Sequence, residues 1–300
     1  MYVVIGATGH TGRVVAERLL AEGQKVRALS RNPEHLKPLA AKGAEPFVAD
    51  VTDAAAVTKA FTAAEAVYAM IPPNLAAPDV RAYEDKVVAS IAAALEKTGV
   101  KHAVALSSFG ADKPDKTGPV LGLHDLEEAL NKIAGLNVLH LRAGYFMENT
   151  LAQVDIIRNF GMAAGPLRAD LKLPMIATRD IGAAAAAALA KLNFSGHQTR
   201  ELLGQRDLDM TEATAIIGKA IAKPDLRYSQ LPDAQLRPAL LQLGMSPNFV
   251  DLLLEMSAAL NSGYMRALEK RSPENTTPTS FETFVAEVFV PLYKQKSRAA

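Results

Sequence analysis

The sequence predicts an α/β fold, a doubly wound parallel sheet with a smaller, mainly helical C-terminal lobe. A short apolar run at 2–5 leads into closely spaced glycines and then into a helical pattern. More short apolar runs alternate with helical patterns as far as residue 142, as expected for strands buried on both faces of a parallel sheet. Beyond residue 150 the alternation fades and helical patterns dominate. These three observations predict a sheet domain followed by a lobe.

Each element of the first half is predicted from its apolar run and from the residues that interrupt it. Two of the helices open just after Pro33 and Asp53. The predicted strands are at 2–5, 25–29, 45–49, 66–71, 101–106 and 137–142, and the helices between them at 34–42, 53–61, 79–97 and 123–134. Ligands of such sheets bind at the carboxyl ends of the strands, where the strand order reverses, so we expect the site there.

The second half carries weaker signals. The segments ELLG and LRYSQL, at 201–204 and 226–231, could form further strands. Helices are predicted at 179–191, 211–222, 233–243, 247–260 and 279–293. We expect a nucleotide-binding domain over 1–150, to which segments near 176–204 return, and a mainly substrate-binding lobe over 151–300.

Composition excludes several functional classes. Lys plus Arg number 33 against 32 for Asp plus Glu, so no broad field favours nucleic acid or an anionic membrane, and a small-molecule partner is expected. The absence of cysteine excludes disulfides, thiolate metal sites and a cysteine nucleophile. The alanine run at 183–188 is far shorter than the roughly 20 apolar residues of a membrane span. With no secretory leader pattern at its start, the protein is expected to be cytoplasmic.

The segment YVVIGATGHTG, at 2–12, carries the strongest functional signal. Its glycines suit a sharp turn, the approach of a pyrophosphate to bare backbone, and close packing of a helix on a strand. The helix N-terminus then presents N–H groups and a positive dipole end to phosphate. A glycine triplet alone more often marks an ordinary turn, but the flanking strand and helix favour a dinucleotide site. Its predicted residues are Gly6, Thr8, Gly9, His10, Thr11 and Gly12.

The end of the second strand bears on the choice between the two nicotinamide cofactors. Sites for NAD usually place an acid there, whereas this chain reads Ser30 and Arg31. Arginine can clamp a 2′-phosphate, with Ser30 and Lys37 assisting, so NADP(H) is predicted over NAD(H). The alternative is that Arg31 is a solvated turn residue. After the third strand, Asp50 and Val51 are candidates to meet the adenine, although Asp50 could equally be a loop or capping residue.

Six motifs, taken in order, resemble the NmrA-like branch of the atypical short-chain dehydrogenase/reductases: GATGHTG, ALSRNP, ADVTD, SSFGAD, HLRAGYFMEN and TRDIGAAAA. The segment ELLGQRDLDMTEATAIIGKAI also looks like that branch's C-terminal lobe, so the similarity covers nearly the whole chain. The resemblance implies a Rossmann domain, bound NADP(H) and a smaller lobe that closes a cleft over the nicotinamide. The branch includes quinone, dye and azo-compound reductases, isoflavone-reductase-like enzymes, and regulators that bind the cofactor without turning it over.

One departure from the wider superfamily bears on mechanism. Mainstream short-chain dehydrogenases carry a Tyr-x-x-x-Lys pair, in which the lysine lowers the tyrosine pKa for proton transfer. The corresponding segment here, 121–128, reads LGLHDLEE and has no such pair. Isoflavone-reductase-like members place a lysine on this helix, and His124 stands at the similar position. His124 could donate a proton, oriented or charged by Glu128 four residues on, or it could pack between the lobes.

Loops at the strand ends predict a largely apolar, aromatic pocket, although its prolines and aromatic residues could also be structural. On the cofactor side we expect Ile71, Pro72, Ser107, Tyr145 and Phe146. On the substrate side we expect Pro73, Phe109, His124, Asn149 and Met175. Neighbours of these residues, and methionine and phenylalanine residues of the lobe, could complete the wall: Ser108, Gly144, Met245, Phe249 and Met256. The segment ALSSFGAD has no nucleophile elbow, which argues against a serine hydrolase.

Together these patterns predict an NADPH-dependent oxidoreductase that passes hydride to a small aromatic acceptor, such as a quinone, an azo compound or a dye. Such chemistry does not require a protein acid, because water can supply the proton while the protein positions the acceptor. The alternative is a sensor that reads NADP(H) and acts through a protein partner. A homodimer is compatible with either. No metal is expected, because His35, His102, His140 and His197 lack metal-ligand spacing.

Overall fold

The structure, a computed structural model, describes residues 1–295. Its strands are, in chain order, β1 (Tyr2–Ile5), β2 (Val26–Ser30), β3 (Glu45–Val48), β4 (Ala66–Ala69), β5 (His102–Ser108), β6 (Asn137–Ala143), β7 (Tyr145–Phe146), β8 (Ala163–Gly165), β9 (Leu173–Ile176), β10 (His197–Leu202), β11 (Asp207–Leu208) and β12 (Tyr228–Gln230). Seven of them form one parallel sheet in the order β10-β6-β5-β4-β1-β2-β3. The strand prediction for β1 to β6 is confirmed.

The strand order reverses at β1, because β2 and β3 follow on one side of it and β4, β5 and β6 on the other. In such a sheet the helices that leave neighbouring strands pass to opposite faces at this point. A crevice therefore opens between the carboxyl ends of β1 and β4, which is where a ligand of this fold class binds.

Twelve helices lie within residues 1–295. They are α1 (His10–Ala21), α2 (Pro33–Ala40), α3 (Ala54–Phe61), α4 (Val80–Thr98), α5 (Leu121–Asn131), α6 (Gln153–Phe160), α7 (Thr178–Lys191), α8 (Met210–Ala220), α9 (Asp233–Gln242), α10 (Pro247–Asn261), α11 (Phe281–Phe284) and α12 (Val290–Lys294). The apolar sides of α1, α2 and α7 pack on one face of the central sheet, and those of α3, α4 and α5 on the other. None of these twelve combines the length and the apolarity needed to cross a membrane.

The starts of α3 and α4 show how side chains define the helix ends. Asp53 accepts the backbone N–H groups of Ala55 and Ala56, both at 3.0 Å. Asp79 accepts the N–H of Ala82 at 2.9 Å. Each bond satisfies a donor of the first turn that has no partner inside the helix. The first turns of α4 lie beside the candidate active site.

A second apolar core lies in the lobe. Strands β11, β9 and β7 form one small sheet and β12 pairs with β8, while Phe281, Phe284 and Phe289 are buried in the core beside them. The helical stretch predicted at 279–293 is present as α11 and α12, joined by a π-helical turn over Val285–Phe289. The sequence patterns did not predict β7, β8, β9 or β11, which have two to four residues and lie beyond the regular alternation that ends at residue 142.

Two buried carboxylates hold the segment that precedes α11 against the central sheet. Glu201, at the end of β10, accepts the backbone N–H groups of Leu268 and Glu269 at 2.8 and 2.7 Å. Asp180, in α7, accepts the N–H and the hydroxyl group of Thr279 at 2.9 and 2.8 Å. Both carboxylates belong to elements of the central sheet layer, since β10 pairs with β6 and α7 packs on α1.

Candidate active site

The turn between β1 and α1 is built by glycines with different tasks. Gly6 has φ +63°, in the left-handed region, and a Cβ there would lie 2.7 Å from the Met70 sulfur. A Cβ on Gly12 would overlap the carbonyl oxygen of Gly6. Gly9 donates its N–H to that same oxygen at 2.9 Å, and a Cβ on Gly9 would meet only this atom, at 3.3 Å. Gly6 and Gly12 therefore close the turn, whereas Gly9 leaves space beside it.

The N-terminus of α1 is suited to bind an anion. Gly9 is its N-cap and no side chain caps the first turn, so N–H groups and the positive end of the helix dipole remain available. His10 is exposed at the first helical position. The hydroxyl group of Thr11 is buried and accepts a hydrogen bond from Tyr68 at 2.9 Å. Of the predicted phosphate residues, Thr11 can therefore contribute only its backbone.

The polar residues after β2 surround this turn. The hydroxyl groups of Thr8 and Ser30 lie 3.2 Å apart. Arg31 is exposed, and its guanidinium makes no hydrogen bond or ion pair within residues 1–295. Lys37, by contrast, pairs with Glu34 at 2.5 Å, both being exposed. Arg31 is thus the cation of this loop that can bind a phosphate without first losing a partner.

Asp50 and Val51, the residues predicted to meet an adenine, differ in what they can offer. One oxygen of Asp50 accepts the N–H and the hydroxyl group of Thr52, at 2.9 and 2.8 Å. These bonds, aided by the charge of Arg31, lower the pKa of Asp50. The second carboxylate oxygen has no protein partner within the described residues. Val51 is buried in the sheet core and offers little surface to a ligand.

A largely apolar cavity of about 310 Å³ lies between the strand ends and the lobe. Most residues predicted for the pocket line it: Ile71, Pro72, Pro73, Ser107, Ser108, Phe109, Gly144, Tyr145, Phe146, Asn149, Phe249 and Met256. Hydrogen bonds join the two sides of its rim. The N–H of Ser246 donates to the carbonyl of Leu75, and the N–H of Val80 donates to the side chain of Asn248, both at 2.8 Å.

Three residues expected at the pocket are not among those lining the cavity. Met175 is fully buried in the core of the lobe, and Met245 packs beside the α9–α10 pair, so both are packing methionines. His124 is half-buried, and its Nδ1 lies 2.8 Å from the carbonyl oxygen of Ala111. Nδ1 therefore carries the proton and donates it. Glu128, expected to orient or charge this ring, is exposed and makes no hydrogen bond with it within residues 1–295.

Ser107 connects the cavity to a buried ion pair. Its hydroxyl group donates to Glu127 at 2.5 Å. Glu127 is buried and accepts two hydrogen bonds from Arg142, at 2.9 and 2.6 Å. The bond to Glu127 is the main cause of the raised pKa of Arg142. Because the Ser107 proton is committed to Glu127, a ligand in the cavity meets this hydroxyl group as an acceptor.

The sequence patterns missed Glu84 of α4, which also lines the cavity. Its carboxyl group is buried and accepts a hydrogen bond from Arg81 at 2.7 Å. Burial is the main reason that the pKa of Glu84 is raised, to about 7. In the sequence it stands in the charged run YEDK, which is typical of a solvated helix face. Within residues 1–295, no group of three or more metal-ligating side chains is present.

Comparison with known proteins identifies several relatives. A profile of the NmrA-like family matches residues 2–284. The chain is 32% identical over 243 residues to (4-alkanoyl-5-oxo-2,5-dihydrofuran-3-yl)methyl phosphate reductase of Streptomyces griseus, covering 80% of each protein. It is 29% identical over 270 residues to quinone oxidoreductase 2 of Escherichia coli K12, covering 88% of this chain and 89% of that protein.

A solved structure gives a similar result. The crystal structure of an NADPH-dependent quinone oxidoreductase from Escherichia coli, in complex with NADPH, matches with a TM-score of 0.79 and 26% sequence identity. The match covers 96% of this chain and 100% of that one. The likeness therefore includes both the central sheet and the lobe.

Proposed function

The chain belongs to the NmrA-like family, and on that premise we propose that it is an NADPH-dependent reductase of small aromatic acceptors of the quinone, azo or dye type. The names of the two sequence relatives support a reductase, and one of them is a quinone oxidoreductase. The observation that carries the proposal is the apolar cavity, whose wall includes Phe109, Tyr145, Phe146 and Phe249, at the carboxyl ends of the strands.

The residues at the sheet edge fit NADPH. The space beside Gly9 and the uncapped N-terminus of α1 suit a pyrophosphate, and the exposed guanidinium of Arg31 suits a 2′-phosphate. The hydroxyl group of Ser107 can accept a hydrogen bond from the carboxamide of the nicotinamide and so orient the ring. When bound, the reduced cofactor supplies the hydride, and the wall of the cavity excludes water and holds the acceptor in position.

Steady-state oxidation of NADPH against a panel of quinones, azo compounds and cationic dyes tests this function. We expect turnover with at least one class of acceptor and weaker activity with NADH. Tight binding of NADPH without oxidation across the whole panel would contradict the proposal. It would instead indicate a sensor of the cofactor that acts through a protein partner.

Arg31→Ala is expected to reduce the preference for NADPH over NADH by about 1.5 to 3 kcal/mol, because a bidentate, charge-assisted contact to the 2′-phosphate is lost. Binding titrations with both cofactors measure it. Lys42→Ala is a suitable control, since Lys42 is an exposed cation paired with Glu17 and its loss should leave the preference unchanged. Equal affinities of the unmodified protein for the two cofactors would contradict the NADP assignment.

His124→Ala is expected to lower turnover less than about tenfold, because His124 does not line the cavity and its Nδ1 proton is donated to Ala111. Turnover and KM for one quinone and one cationic dye measure the effect. General acid catalysis typically contributes about 10² to 10⁴ in rate. A hundredfold loss with both acceptors would therefore make His124 the proton donor and contradict this expectation.

A further inference from the structure

Glu84 is the one carboxyl group among the cavity-lining residues of the described part of the chain. No histidine, lysine or arginine of residues 1–295 lines the cavity with it, and the remaining titratable groups there are Tyr83 and Tyr145. The hydroxyl group of Tyr83 donates to the carbonyl of Pro72 at 2.8 Å, and burial raises its pKa. Burial also raises the pKa of Tyr145, to about 12. Neither tyrosine is therefore suited to give up a proton near neutral pH.

Burial favours the protonated form of Glu84 and outweighs the opposing charge of Arg81. Arg81 is shared by three carboxyl groups, because it also contacts Asp85 at 3.4 Å and Asp125 of α5. A single guanidinium neutralises one charge, so three ionised carboxylates would leave an excess of negative charge. The side chain of Glu84 is 9% exposed, against 63% for Asp85 and 39% for Asp125. Because the ionised form is most costly where solvent is excluded, the proton is held by Glu84.

Helix α5 makes room for this carboxyl group. A Cβ on Gly122 would lie 2.6 Å from both the carboxyl carbon and Oε2 of Glu84. A larger residue at position 122 would therefore displace the carboxyl group of Glu84. Glu84 thus occupies a niche between α4 and α5. Its Oε2 accepts the bond from Arg81, while Oε1 has no protein partner within residues 1–295.

We propose, resting on the function proposed above, that the carboxyl group of Glu84 is the acid that protonates a reduced quinone in this cavity. Addition of a hydride to a quinone leaves a hydroquinone monoanion. The O–H bond of Glu84 breaks and its proton forms the O–H bond of the neutral hydroquinone, so the carboxylate that remains lies beside Arg81. Solvent then returns a proton to Glu84. This carboxyl group takes the role that the tyrosine has in mainstream short-chain dehydrogenases.

Two kinds of acceptor differ in their need for this proton. A quinone needs a proton as well as a hydride, because its reduction leaves a negative oxygen. A cationic triarylmethane dye needs only the hydride, which adds to the central carbon and gives a neutral product. Loss of Glu84 should therefore affect the first reaction and spare the second.

Glu84→Gln is the test, because glutamine keeps the shape of the side chain and removes its acidic proton. At pH 6 and saturating acceptor, we expect kcat for a quinone to fall about 100-fold and kcat for the dye to change less than about threefold. Glu96→Gln is the matched control. It makes the same change at an exposed carboxylate of the same helix that lies outside the cavity wall and does not contact Arg81, so both reactions should stay unchanged.

The pH profile gives a second measurement. The groups that face Glu84 are Arg81, Asp85 and Tyr83 on its own helix and Asp125 on α5. Since the pKa of Glu84 is raised to about 7, quinone turnover by the unmodified protein should fall as pH rises through 7. The profile of Glu84→Gln should lack this step. Infrared difference spectra should show a protonated carboxyl band below pH 7 that Glu84→Gln loses, whether or not an acceptor is present.

Several results would overturn the inference. Equal losses of quinone and dye turnover in Glu84→Gln would assign Glu84 a structural role. Identical protonated carboxyl bands in the two proteins would show that Glu84 does not hold the proton. Unchanged quinone turnover in Glu84→Gln would leave protonation to water. If the unmodified protein reduces neither acceptor, the proposed function fails, and this inference fails with it. If it reduces both and only the selective loss is missing, the inference fails alone.

Discussion

Valine in place of Gly9 is expected to abolish binding of NADPH while the protein stays folded. The backbone of Gly9, with φ −85° and ψ 179°, is allowed for any residue, and an added Cβ meets only the carbonyl oxygen of Gly6, at 3.3 Å. The rest of the valine side chain would fill the space that the pyrophosphate needs at the N-terminus of α1. A binding isotherm beside a circular dichroism spectrum separates loss of binding from loss of structure.

Gly12→Val is the companion variant, and its expected result differs. A Cβ at Gly12 overlaps the carbonyl group of Gly6, so α1 must move away from β1. We expect this variant to lose stability as well as binding. Retained tight binding in Gly9→Val would mean that the glycine turn is not the phosphate site. Equal loss of structure in the two variants would contradict the separate tasks assigned to these glycines.

The second large effect is expected from Glu127→Ala. The substitution leaves the half-buried charge of Arg142 without its partner and the Ser107 hydroxyl group without its acceptor. Breaking a buried ion pair from one side typically costs about 3 to 5 kcal/mol. Urea denaturation measures the free energy of unfolding. Glu128→Ala, at the exposed neighbouring position, should change it by less than about 0.5 kcal/mol.

A double variant tests why Glu127→Ala destabilises the protein. If the cost comes from the unpaired guanidinium, Glu127→Ala combined with Arg142→Met should be less destabilised than the sum of the single variants. Additive effects would show that the two side chains contribute independently. A loss below about 1 kcal/mol in Glu127→Ala would mean that solvent reaches Arg142.

Strands β1 to β6 of the central sheet could be predicted because short apolar runs mark them, and glycine spacing marked the turn before α1. The seventh strand, β10, reads HQTREL, and only its end falls in the predicted segment 201–204. Most strands of the lobe could not be predicted, although β12 lies within the predicted segment 226–231. Strand β7 has two residues, Tyr145 and Phe146, and it exists because it pairs with β9. That pairing joins segments about 30 residues apart in the chain, so no local sequence pattern predicts it.

At the site, local sequence patterns also failed to predict which charged residues are buried. Glu84 and Glu127 stand in helices among other charged residues, a pattern that usually marks a solvated face. They are buried only because α4 and α5 meet beside Gly122 and because Arg142 lies opposite on β6. Conversely, the positions of Arg31 and of the loop residues that line the cavity could be predicted, because their places at strand ends follow from the fold.

The bonds from Glu201 and Asp180 to the segment before α11 also constrain how the chain folds. Asp180 binds Thr279, 99 residues later, and the core of the lobe needs Phe281, Phe284 and Phe289. During synthesis the N-terminal part emerges first and can fold early. The lobe, however, has to wait until the segment 281–289 has been made. A ribosome paused near residue 260 would therefore carry a folded sheet beside an open lobe, with apolar surface available to chaperones.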